Sequence, residues 1–257
     1  MPKPVDPLEL RAAPALPPGW RVHDIAPGMR FRLVRDLPVL PAPLERQIDR
    51  LWAAAQDRMR GRLFNGFVFS ADAIGPDLVT GHWTEFRRIV AQMDRPALFA
   101  DLGLRPLAVN GIVHGPDGVV FGRRPMGAVY QPGQWQLPPA GSVDDRAARA
   151  DGEIDPLAAC LTELEEELGI APAAVCPGPF LAIVEHAGSH VLDLGIPLRT
   201  ALTAAGIRAA HAGADAEYAR LEVVPIADLP TFLAGVAPHL TPQAPVFLSR
   251  MGLLSEW

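Results

Sequence analysis

Cysteine is scarce in this chain of 257 residues, which carries only Cys160 and Cys176. Two thiols cannot build the disulfide framework that staples small secreted folds. Cys160 falls within an apolar helical pattern and reads as a small buried hydrophobe. Positive charge is also short. Lys plus Arg number 23 against 29 Asp plus Glu, giving a formal charge of -6 and a pI near 5.6. That balance lacks the basic footprint needed to grip a nucleic-acid backbone. No run reaches the roughly 18 apolar residues that span a bilayer. The opening MPKPVDPLEL has no apolar core of the secretory type. Internal repeats and coiled-coil heptads are missing too. Together these absences lead to the expectation of a soluble, cytoplasmic protein with neither a nucleic-acid nor a membrane partner.

What is present is a globular composition, 49% hydrophobic and 20% charged, with 28 prolines and 23 glycines that call for many turns. The length suits one large core or two modest ones. Residues 1–20, rich in proline and alanine, are expected to form a loosely ordered tail. Residues 21–105 are expected to form an extension or accessory lobe. It would hold a short strand near Phe31, a helix from Leu44 to about Met59 with Ile48, Leu51 and Ala55 on its apolar stripe, a strand after Phe64, and a helix over 83–93. From Pro106 onward two strands flank a Pro-Asp-Gly turn at 116–118, and a proline- and glycine-rich passage leads into a helix starting near Pro156. Asp155 is placed to cap that helix, Pro156 to occupy N1 and Gly169 to end it. Strands over 180–186, 190–200 and 219–226, a helix over 228–235 and a last helix from Thr241 complete the second region, 106–257.

The helix from Pro156 carries the chemistry. Taking Glu163 as zero, a rotation of 100° per residue sets Glu167 near +40° and Glu166 near -60°. Leu157, Cys160, Leu161, Leu164 and Leu168 then fall between about +60° and +160°, so the acidic stripe borders the buried edge. Glu165, near 200°, faces solvent. Like charges at these spacings repel, and no lysine or arginine lies between Ala150 and Ala171 to offset them. A hard divalent cation would relieve the crowding. A solvated helix face with no ion is the competing reading, because glutamate is also a good helix former. Gly141, in the loop before the helix, lets a backbone carbonyl approach an ion or phosphate.

These residues resemble the signature of the Nudix hydrolases: glycine, five residues, glutamate, seven residues, Arg-Glu, an apolar residue, any residue, Glu-Glu, any residue, glycine and an apolar residue. LTELEEELGI supplies the second half in register through Glu163, Leu164, Glu166, Glu167, Gly169 and Ile170. Gly141 stands for the leading glycine. Two features depart from the pattern. Thr162 replaces the signature arginine, and eleven and eight residues, rather than five and seven, surround Glu153. The resemblance spans roughly residues 106–233.

It implies an α/β (α+β) fold, a Nudix-type α/β/α sandwich with a mixed sheet beside the N-terminal extension. It also implies Mg²⁺ or Mn²⁺ held by Gly141, Glu153, Glu163, Glu166 and Glu167. Glu163, Glu167 or Glu217 would activate water, with Glu185 an alternative base. Arg123 and Arg124 would bind the diphosphate, though adjacent strand residues point apart and are not expected to do so equally. Trp135, Tyr130 and His186 are candidates to contact the substrate; packing is the alternative for the two aromatics. His186 and His190 need not converge, so no zinc site is expected. The implied activity is hydrolysis of the diphosphate linkage of a nucleoside diphosphate derivative. LFNG, GHWTEFRR and LGLRPLAV are loosely similar to the UDP-sugar pyrophosphatase branch, making a UDP-sugar the first candidate. ADP-sugars including ADP-ribose, dinucleotides and CoA esters are alternatives. A nucleotide-binding module that has lost turnover is the other class, and homodimers are common among isolated domains of this type.

Overall fold

The structure, a computed structural model, describes residues 16–128, 130–214 and 217–254. Most of the expected tail, residues 1–15, lies outside the described residues, whereas Leu16 and Trp20 pack against a hydrophobic cluster. In chain order the elements are β1 (Arg21–His23), β2 (Arg30–Arg35), α1 (Ala42–Arg58), β3 (Phe67–Ile74), β4 (Leu78–Glu85), α2 (Phe86–Asp94) and α3 (Phe99–Leu102). They continue with β5 (Leu107–Gly115), β6 (Gly118–Arg123), β7 (Trp135–Gln136), β8 (Ala140–Ser142), β9 (Glu153–Ile154) and α4 (Pro156–Leu168). The chain closes with β10 (Val175–Pro177), β11 (Ile183–Glu185), β12 (Leu192–Thr200), α5 (Ala204–His211), β13 (Arg220–Val224), α6 (Leu229–Val236) and α7 (Gln243–Arg250).

Nine strands form a mixed sheet with the path β1-β11-β12-β5-β6-β13; β10 pairs with β12, β7 with β6 and β8 with β5. Strands β5 and β12 run parallel, pairing Leu107 with Leu192 and Asn110 with Gly195. Side chains alternate between faces of this central pair. Leu107, Val109 and Val113 of β5 join Leu192, Leu194 and Ile196 of β12 in a core that α4 covers with Cys160, Leu164 and Leu168. Ile112 faces the other way, into a core built with Leu229 and Leu233 of α6 and Phe247 and Leu248 of α7. Helices therefore cover both faces, which is the expected α/β/α sandwich.

A four-stranded sheet in the order β3-β4-β2-β9 stands beside it. Its Phe31, Phe69 and Val79 share the core beneath α4. Helix α2 packs on α1 through Ala91 and Ile48. Here one element differs from expectation: Trp83–Glu85 continue β4, and the helix begins at Phe86. Thr84 pairs with Val68 and Trp83 with Phe69, so strand pairing claims the tripeptide before the helical pattern starts. Helices α3 and α5 and the short strands β1, β7, β9 and β10 have no counterpart in the sequence reading, and Gly141, expected in a loop, lies on β8 because it pairs with Val109 of β5.

Helix α4 starts and stops where its end residues dictate. The Asp155 side chain accepts from the Ala158 N–H, Pro156 sits in the first turn, and Gly169 ends the helix at φ 63°. A cap of this kind contributes about 1 kcal/mol.

Candidate active site

One cavity of about 690 Å³ lies against the paired β5 and β8, beside α4. Its acidic wall is made by Glu163 and Glu167 of α4 and by Glu217, which precedes β13. Its apolar wall comes from the N-terminal region, through Leu63, Phe86, Ile89 and Met93. Pairing of Gly141 with Val109 brings the β8 backbone against α4 so closely that a Cβ at Gly141 would overlap the Glu163 carboxylate. Only glycine leaves room for the side chain there.

Glu167 is the most firmly held member. Its Oε2 accepts from the Ala140 N–H at 3.0 Å and from the Tyr218 hydroxyl at 2.6 Å, and Gln136 Nε2 donates to the Tyr218 oxygen at 2.9 Å. Burial pushes the Glu167 carboxyl up to about 8, with Glu163 and Glu217 adding to the rise while the Tyr218 and Ala140 hydrogen bonds oppose it. Burial likewise raises Glu163 to about 7, followed by repulsion from Glu166 and Glu217. Ion pairs form at Glu166, with Arg146 at 3.1 Å, and at Glu217, with Arg124 at 3.9 Å. Neither Glu163 nor Glu167 has one among the described residues.

Those raised pKa values imply a pH dependence of stability. Unfolded, both carboxyls titrate near 4.5, and folded near 7 and 8. The folded state therefore holds more protons across that interval. Its stability is full below about pH 4.5 and falls as the pH climbs through 7 and 8. Without added cation, the melting temperature should drop by about 5 °C between pH 5.5 and pH 8.5, a loss on the order of 2 kcal/mol. Paired Glu163→Gln and Glu167→Gln substitutions should flatten the profile. A profile unchanged by the double substitution would mean that neither group carries the shift.

The sequence-derived candidates separate clearly. Glu163, Glu167, Glu217, Gly141, Arg124 and Tyr130 line the cavity. Glu166 is exposed, its carboxylate held by Arg146. Glu153 lies on β9, opposite Arg32 of β2 and 3.7 Å from Arg30, away from the cavity. Arg123 turns from the cavity and its Nε donates to the Gly133 carbonyl at 3.1 Å. Trp135 is buried against Phe232 at 5.4 Å, under the Arg220 guanidinium. His186 packs edge-on to Trp20, bonds to Ser189 Oγ, and is pushed down to about 4 by burial. Glu185 is tied to His23 and His190 at 2.9 and 3.0 Å; its hydrogen bond with His23 is the main force holding its carboxyl near 2.

Sequence reasoning missed Tyr218, Gln136, Asn110, Asp193, Gln243 and Arg146. Of these only Arg146 left a trace: it sits four residues before the cation-free window, in the lengthened loop. Thr162, in the place of the signature arginine, spends its hydroxyl on the Ala158 carbonyl of its own helix at 3.1 Å.

Among the described residues there is no group of three or more His, Cys, Asp or Glu side chains gathered tightly enough to hold a metal ion. The five-membered ligand set expected from sequence is thus not assembled, because β-pairing carries Glu153 away and helical rotation turns Glu166 outward. The part that remains fits a hard cation in its donor chemistry. It consists of two carboxylates without ion pairs, Glu167 buried and Glu163 half-buried, the latter pressed against a glycine backbone that admits no Cβ.

The NUDIX domain family model matches residues 104–243. Among solved structures the chain is similar to a NUDIX hydrolase from Nitrosomonas europaea, at 14% identity and a TM-score of 0.38, covering 57% of this chain and 86% of that one. It is similar to a NUDIX-family hydrolase from Clostridium perfringens at 14% identity and 0.36, covering 58% and 97%. A bifunctional NMN adenylyltransferase/ADP ribose pyrophosphatase from Francisella tularensis is similar at 12% and 0.39, covering 65% and 48%. No curated protein matches.

Proposed function

This chain belongs to the Nudix superfamily, and from that premise we propose that it is a divalent-cation-dependent hydrolase of the diphosphate linkage in a nucleoside diphosphate derivative. The observation that carries this reading is the pair Glu163 and Glu167, half-buried and buried respectively in a cavity wall, without ion pairs and with raised pKa values. Water adds to one phosphorus and the bond from that phosphorus to the bridging oxygen breaks. A nucleoside monophosphate and a second phosphate-bearing product result. UDP-sugars, ADP-sugars including ADP-ribose, dinucleotides and CoA esters are the candidate substrates.

In this mechanism Glu163 and Glu167, with the Gly141 backbone beside them, would hold Mg²⁺ or Mn²⁺. The bound cation would polarise the phosphoryl oxygens and lower the pKa of water. Tyr218 and the Ala140 N–H fix the Glu167 carboxylate in place. Glu217, partly exposed at the cavity rim, is suited to take a proton from the attacking water. Arg124 is suited to pair with a diphosphate oxygen, since a guanidinium fork matches its geometry. Arg62, which also lines the cavity, would add positive charge to that side.

A panel of nucleoside diphosphate derivatives, assayed for phosphate-bearing products with Mg²⁺, Mn²⁺ or chelator, tests the proposal. Turnover should appear with either cation and fall to background on chelation. The loss of the signature arginine at Thr162 and the clasp of Arg146 on Glu166 favour a second reading, a binding module without turnover. That reading expects nucleotide to bind and to be recovered intact under all three conditions.

A further inference from the structure

A second polar group lies in the same cavity, away from α4. Asn110 on β5 and Asp193 on β12 are brought together by the parallel pairing of these strands, on the sheet face that packs against α7. Asn110 Nδ2 donates to Asp193 Oδ1 at 3.0 Å. That bond fixes the amide orientation, because only the NH₂ end can donate to a carboxylate. Asn110 Oδ1 and Asp193 Oδ2 are then left buried without partners among the described residues, as is Gln243 Oε1 at the start of α7. These three side chains are 2%, 3% and 1% exposed and all line the cavity. Buried polar atoms in folded proteins are nearly always paired, so these unpaired oxygens and the unpaired Tyr130 hydroxyl, all on residues that line one cavity, mark a place where a ligand completes the hydrogen bonding.

We propose that Asn110, Asp193 and Gln243 form the specificity end of the cavity and receive an amino-bearing heteroaromatic ring, of the cytosine or adenine kind. This deepens the nucleotide reading above and rests on it. Two of these acceptors match the two N–H donors of an exocyclic amine. Phe86, Ile89 and Met93 give the flat faces of such a ring an apolar wall. Uracil and hypoxanthine place a carbonyl oxygen where cytosine and adenine carry the amine, setting acceptor against acceptor. A sugar's hydroxyls could also satisfy the oxygens, but they would do so equally for every base. UDP-sugars therefore drop below their ADP- and CDP-linked counterparts as substrates.

Two matched pairs of product-like ligands isolate the amine: CMP against UMP, and AMP against IMP, titrated calorimetrically with Mg²⁺ present. The amino member of each pair should bind about tenfold or more tightly. Asp193→Asn, which can turn an acceptor into a donor, should bring both ratios to within about twofold. Gln243→Leu, on a different element, should narrow them by about threefold and serves if Asp193→Asn fails to melt cooperatively. Equal affinity within the pairs, absence of binding by all four, or ratios unmoved by either folded variant overturns the assignment. Diphosphate turnover is scored separately. Cleavage with no amine preference sinks only this inference, whereas amine preference without cleavage sinks only the hydrolase reading.

Discussion

Glu167→Gln should abolish turnover, lowering kcat by about 10³-fold or more, while leaving the fold intact and raising the melting temperature at pH 8. The two halves of this result have different causes. Structurally the amide is a close replacement. Its oxygen can still accept from the Tyr218 hydroxyl and the Ala140 N–H, which both serve one oxygen of the carboxylate. Stability should improve because a group held near 8 by burial and by Glu163 no longer has to ionise in the folded state. Chemically the substitution removes the negative charge proposed to hold a cation and the lone-pair donor that goes with it. Glu165→Gln is the control, since Glu165 is exposed on the same helix and faces away from the cavity. Combining Glu167→Gln with Glu163→Gln should cost little more than either alone, as expected of residues acting as one unit. Undiminished turnover in Glu167→Gln would remove the chemistry from α4 altogether.

Part of this site could be read from residues 156–170 alone. The azimuths on α4 order the burial of its acids: Glu167, nearest the apolar edge, is 2% exposed, Glu163 is intermediate, and Glu166 is exposed. A single acidic stripe in sequence thus becomes a graded one, and only its inner members reach the cavity. The alternation rule likewise separated Arg123 from Arg124. What lay beyond reach was everything made by pairing across long separations. Asn110 and Asp193 are 83 positions apart, and Tyr218 is 51 positions from Glu167. Neither pair carries a local spacing rule, because strand register, not helical period, brings them together. Trp135 and His186 show the opposite case. Each is a residue type suited to binding, yet both are absorbed by packing. Gly141 was legible as a place for close backbone approach, but the group that approaches it was not.

That approach makes Gly141→Ala the sharper probe of the site. Gly141 does not need a left-handed backbone, so alanine costs nothing in φ and the effect is confined to space. The added Cβ would overlap the Glu163 carboxylate and lie 2.7 Å from its Cγ, well inside van der Waals contact. Either β8 withdraws from β5 or the Glu163 side chain swings out. The side chain is the softer of the two, since the carboxylate is unpaired and a glutamate has staggered alternatives, whereas β8 is pinned by its pairing to Ala108, Val109 and Asn110. The melting temperature should therefore change by less than about 3 °C, on the order of 1 kcal/mol for a chain of this size. Meanwhile kcat/KM should fall about 10² to 10³-fold, the scale on which a small misplacement of a catalytic group is felt. Mg²⁺ dependence should weaken in parallel, with more cation needed for half-maximal rate. Wild-type rates at wild-type magnesium would mean that Glu163 is free to leave the wall without consequence. A collapse in stability with normal specific activity of the folded fraction would mean that the contact between β8 and α4 serves only packing.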